Sequence, residues 1–110
     1  MPHCIIEHSN DLAPKPLIDA VYQGSLESAL FQPDDIKTRT IAYQHYQSGE
    51  LPQSFVHVTA KILSGRNIEQ RKQLAQLILQ AIEKVGLKAI SLTVEIVQIE
   101  NESYAKIVKA

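Results

Sequence analysis

Two stretches of the chain alternate strictly between apolar and polar residues. Val56, Val58, Ala60 and Ile62 stand between Phe55, His57, Thr59 and Lys61, a period of two that predicts a strand over Phe55 to Leu63 with one apolar side. Ile90, Leu92, Val94 and Ile96 alternate with Ser91, Thr93 and Glu95 in the same way, predicting a second half-buried strand. Between them Leu74, Leu77, Ile78, Ala81, Ile82 and Val85 recur at the spacing of a helix face. Asn67 is a good N-cap for that helix, and Gln70 completes a capping box. Gly86 is placed to end it as the first residue beyond the C-cap.

The first half of the chain has the same order. Pro2 precedes the short apolar run His3 to Glu7, and a strand tolerates proline at its start. Ser9-Asn10-Asp11 has turn and cap composition. Pro14 and Pro16 sit where a helix begins. Leu17, Ile18, Val21, Tyr22, Leu26, Ala29 and Leu30 then keep helical spacing, which predicts a helix ending near Phe31, before Gln32-Pro33-Asp34-Asp35. Gly24 inside it costs about 1 kcal/mol relative to alanine. Ile36 to Tyr46 is rich in Thr, Ile and Tyr and reads as a strand. Lys37, Arg39, Ile41 and Tyr43 share one of its faces, and Thr38, Thr40 and Ala42 share the other. Ser48-Gly49-Glu50-Leu51-Pro52 is a turn. The tail from Asn101 to Ala110, polar and then apolar, is placed to add an edge strand or to reach a neighbouring subunit.

The order is therefore β-α-β followed by β-α-β, in units of about 1–50 and 51–110. The expected architecture is α+β: one domain over residues 1–110, with a four-stranded sheet and both helices on one face, since β-α-β crossovers are right-handed. The sheet's other face carries apolar residues and is left uncovered, so a homo-oligomer is expected.

Composition narrows the function classes. Eleven basic and twelve acidic residues nearly cancel in 110, with none of the clustered basic faces that bind nucleic acid. Cys4 is the only cysteine; it excludes an internal disulfide and a CxxC motif, and reads as a small buried hydrophobe. No apolar run is long enough to span a membrane, and no charged segment followed by an apolar one marks a signal peptide. A soluble cytoplasmic domain is expected.

The chemistry points to the beginning, Met1-Pro2-His3-Cys4-Ile5-Ile6. Removal of Met1 would leave Pro2 with a free secondary amine held by a strand. An α-amino group titrates at about 7.7–8.0, burial lowers that value, and an amine poised near the working pH is a good general base and acid. Arg66 precedes a capped helix, whose N-terminus favours an anion, and its guanidinium can clamp a carboxylate through two hydrogen bonds.

The start Pro2-His3, the strand Phe55-Val56-His57-Val58-Thr59 and the run from Lys61 through Gly65-Arg66 to Arg71 resemble the 5-carboxymethyl-2-hydroxymuconate Δ-isomerases of the tautomerase superfamily, most strongly from Phe55 to Ile82. The resemblance implies a homotrimer that needs no metal or cofactor. It implies an isomerase that moves a double bond and a proton in an unsaturated 2-hydroxy or 2-oxo polycarboxylate, in aromatic catabolism through homoprotocatechuate. Pro2 matches the catalytic proline and Arg66 a substrate-binding arginine. Where the family has arginine at two positions of the second strand, this chain has Lys37 at the first, the functional one, and Arg39 at the second. Lysine keeps the charge and loses the planar fork, so either Lys37 or Arg39 would bind a substrate carboxylate. The chain is also shorter at its C-terminus than typical members, and compact around Ser48. The alternatives are a related tautomerase acting on another enol or 2-oxo acid, and a non-catalytic oligomeric binding protein on the same scaffold.

Other polar residues carry weaker signals. His3 and His57 occupy matching places in the two units, and His57 reads as a structural histidine. His8 and His45 lack the paired spacing of zinc ligands. Glu7, Glu95, Tyr43 and Tyr46 are open between solvated, orienting and interface roles. Lys72, Lys84 and Lys88 form the solvated side and end of the second helix.

Overall fold

The computed structural model describes all of residues 1–110. Its strands are β1 (His3–Ser9), β2 (Lys37–Tyr43), β3 (Ser54–Leu63) and β4 (Ile90–Ile99), with helices α1 (Pro14–Glu27) and α2 (Ile68–Glu83). The sheet order is β2-β1-β3-β4. Each half forms a parallel pair, β1 with β2 and β3 with β4, and the halves join where β1 meets β3 antiparallel. This is the expected α+β arrangement of two β-α-β units on one sheet.

Period-two burial sets which side the helices cover. Cys4 and Ile6 of β1 and Val56, Val58, Ala60 and Ile62 of β3 are buried against Leu17 and Val21 of α1 and Leu74, Ile78 and Ile82 of α2. Each large apolar side chain taken out of water contributes about 1.5–3 kcal/mol. The opposite face shows His3, Glu7, Phe55 and Thr59 half-buried and leaves Ile41 47% exposed. No helix is long and apolar enough to cross a membrane.

The capping box forms as expected, with Asn67 Oδ1 accepting from the Gln70 amide and Gln70 Oε1 from the Asn67 amide. Gly24 lies where the helices cross. A Cβ there would stand 2.7 Å from Ile78 Cα and 2.8 Å from the Leu77 carbonyl oxygen, so the glycine permits an approach that alanine would block.

Several boundaries differ from expectation. Helix α1 stops at Glu27 because Ala29 takes a left-handed backbone, φ 60°; Leu30 and Phe31 still pack against the core, as loop residues. Helix α2 is capped at Lys84, so Gly86, at φ 85°, is the second residue beyond the cap. Strand β2 ends at Tyr43, and the tail adds no strand: Asn101–Ser103 form a short 3-10 turn, and the rest follows without regular structure.

Candidate active site

The register of β1 and β2 builds one end of the site. His3 lies opposite Lys37, and the Lys37 amide donates to the Pro2 carbonyl at 3.1 Å. Pro2 has no N–H to leave unpaired there, and its ring is buried. The 3-10 turn Pro33–Asp35 feeds directly into β2, so Asp35 arrives at the same end of the sheet.

The charges of four side chains act on the amine of the chain's first residue. Burial lowers the pKa of the Met1 amine below its usual value; Asp35 opposes that shift, and Lys106, Arg66 and Lys37 reinforce it. The Lys37 ammonium is 3.4 Å from the Met1 sulfur. With Met1 attached, the Pro2 nitrogen is an amide and carries no titratable proton.

Arg66 is fixed from two sides. Gly65, at φ 128°, turns the chain out of β3 in a conformation that favours glycine. The Arg66 guanidinium then donates from Nη2 to the Leu30 carbonyl at 2.6 Å and lies over the Phe31 ring, 5.8 Å from its centroid. Both partners are available because α1 ends before them. The capping box occupies the amides of Asn67 and Gln70.

Arg39 has a different neighbour. Its Nη1 is 3.2 Å from His3 Nδ1. A guanidinium can only donate, so Nδ1 is the bare nitrogen and Nε2–H donates to the Tyr104 hydroxyl at 2.8 Å. Burial lowers the His3 pKa, and Arg39, Lys37, the chain's amine and Lys61 lower it further. The structure thus brings Pro2, Lys37 and Arg66 together at Met1, and holds Arg39 against His3.

Asp35, Lys106 and the pair His3–Tyr104 escape a reading of the sequence. Asp35 carries a turn signal that gives no hint of its neighbours. Lys106 and Tyr104 lie in a tail without periodicity, and only the folded path of the chain brings them to β1.

The remaining polar groups lie elsewhere. On the uncovered face His57 bridges Glu95 and Thr93, each at 2.7 Å. At the far end of β1 from Pro2, the Tyr43 hydroxyl donates to Glu7, a bond that raises the Tyr43 pKa, while Tyr46 packs edge-on against Phe55. Burial raises the pKa of the Cys4 thiol. No three His, Cys, Asp or Glu side chains converge as a metal site requires. The molecule's two concavities, of about 410 Å³ between α1 and α2 and about 450 Å³ along α2, exclude Pro2, Lys37 and Arg66. Within one chain the cluster is open.

Residues 2–108 match the family model described as 5-carboxymethyl-2-hydroxymuconate isomerase, the family that the sequence resembles. A search of curated protein sequences finds no match. Among solved structures, the chain is similar to a 5-carboxymethyl-2-hydroxymuconate delta-isomerase, at 18% identity and a TM-score of 0.79, covering 99% of this chain and 89% of that one. A 5-carboxymethyl-2-hydroxymuconate isomerase from Deinococcus radiodurans R1 matches at 22% identity and a TM-score of 0.74, over 98% and 90%. A fused 4-OT symmetric trimer matches at 16% identity and a TM-score of 0.77, over 94% and 89%.

Proposed function

Because the chain belongs to the 5-carboxymethyl-2-hydroxymuconate isomerase family, we propose that it isomerises an unsaturated 2-hydroxy or 2-oxo polycarboxylate, with Pro2 as general base and acid once Met1 is removed. The observation that carries this reading is the convergence of Lys37 and Arg66 on the chain's first residues, around a proline at the head of a central strand. Burial and the neighbouring cations lower the pKa of the Met1 amine, and the same surroundings would favour the unprotonated form of a freed Pro2 amine.

In this reading Arg66 and Lys37 bind substrate carboxylates and favour negative charge on the dienol oxygen as it forms. The Pro2 nitrogen takes the proton of the 2-hydroxyl, the double bond shifts along the carbon chain, and the proton returns to carbon. No proton is gained or lost overall. Lys37 takes the role of the family's strand arginine, while Arg39 is engaged by His3. That lysine also supports a second reading, a related tautomerase on another enol or 2-oxo acid, because an ammonium gives up the two-point clamp that fits a particular carboxylate geometry.

The working form is proposed to be a homotrimer. The uncovered sheet face with exposed Ile41 needs a neighbour, the cluster is open within one chain, and one similar structure is described as a symmetric trimer. Pro2→Ala tests the function: turnover of 5-carboxymethyl-2-hydroxymuconate falls about 10²–10⁴-fold if the amine is the base, and an undiminished rate would refute it.

A further inference from the structure

We propose that Lys106 of the C-terminal tail is a carboxylate-binding residue of the Pro2 site, resting beside Asp35 in the free protein and moving to a substrate carboxylate on binding. This rests on the isomerase reading above and adds a residue that determines specificity.

The tail reaches the site because it is pinned twice. Asn101 Nδ2 donates to the Ser64 carbonyl at 3.2 Å, and the Tyr104 hydroxyl accepts from His3 at 2.8 Å. The chain is thereby drawn across the start of β1. Two residues later the Lys106 ammonium lies 3.8 Å from Asp35 Oδ1, with the two side chains 41% and 40% exposed. That separation exceeds the roughly 2.7–2.9 Å of a charge-assisted hydrogen bond, so the two charges form a loose ion pair. A half-exposed pair at this distance holds weakly, so a substrate carboxylate can take the ammonium over at little cost.

The charge count at this end supports the assignment. Lys37, Arg66 and Lys106 act on the first residue against Asp35 alone. Each retains donors: Arg66 commits one nitrogen to Leu30, and Lys37 meets only a thioether. A muconate carries two carboxylates and its carboxymethyl substituent a third, one for each cation. Lys106 therefore favours the polycarboxylate over an enol acid with a single carboxylate.

The test compares KM for 5-carboxymethyl-2-hydroxymuconate and for phenylenolpyruvate, which has one carboxylate, in wild type, Lys106→Gln and Lys106→Arg. Calorimetric binding of tricarballylate, an unreactive tricarboxylate, is measured on the same samples. Lys106→Gln is expected to raise KM for the tricarboxylate about fivefold with kcat within about twofold, to affect phenylenolpyruvate less, and to be rescued by Lys106→Arg. Equal changes for both substrates, or none, would overturn the proposal. If wild type turns over neither substrate, the isomerase reading fails by itself. Tricarballylate then decides Lys106: a Kd raised about fivefold in Lys106→Gln supports it, and an unchanged Kd overturns it.

Discussion

The Arg66 guanidinium donates to the Leu30 carbonyl at 2.6 Å, so the loop that follows the first helix aims the arginine that follows the third strand. The Phe31 ring beneath it adds a cation–π contact of about 0.5–1 kcal/mol. Phe31→Leu is therefore expected to lower kcat/KM about two- to fivefold through KM. Arg66→Ala, which removes the charge-assisted bonds themselves, is expected to lower it about 10–100-fold. Steady-state kinetics on the two variants checks the order; equal effects would mean that Phe31 does more than support the arginine.

Gly24 sets how closely the helices approach. Gly24→Ala gains about 1 kcal/mol of helix propensity but drives a methyl group into the α2 backbone at 2.7 Å from Ile78 Cα, and such overpacking costs typically 1–3 kcal/mol. The expected net result is a loss of stability, read as a lower urea midpoint at unchanged slope. A stabilised variant would show that the crossing relaxes freely.

Asp35 is the one group that opposes the downward shift of the chain's amine. The trimmed Pro2 amine, at the same end of β1, is expected to sit below the usual α-amino range of about 7.7–8.0. Asp35→Asn removes a negative charge that favours the ammonium, so the ammonium loses that stabilisation and the pKa falls further. The acid limb of the kcat/KM profile, where the base becomes protonated, should move to lower pH in the variant. A shift to higher pH would contradict this electrostatic account.

The strands, the second helix and its cap were legible in the sequence because local signals and burial agree there. Val56 to Ile62 alternates because one side faces the helices, and Asn67 with Gln70 caps through contacts three residues apart. The apolar spacing overextends the first helix because Ala29 and Leu30 continue it; Leu30 and Phe31 are apolar to pack on the core from a loop, where the Phe31 ring and the Leu30 carbonyl hold Arg66. Pro2, Lys37 and Arg66 could be named singly, from a start, a strand face and a helix entry. The Tyr104–His3–Arg39 chain and the Lys106–Asp35 contact could not, since each joins residues distant in sequence and leaves no periodic trace.

The central claim is that Pro2, freed of Met1, is the working amine. Intact mass and phenylenolpyruvate ketonisation, measured on one preparation beside its Pro2→Ala counterpart, test it most directly. The account predicts an active protein whose mass lacks methionine, and a loss of about 10²-fold or more in the variant. Full activity in a protein that retains Met1 would contradict it, because its Pro2 nitrogen is an amide and can neither take nor return a proton.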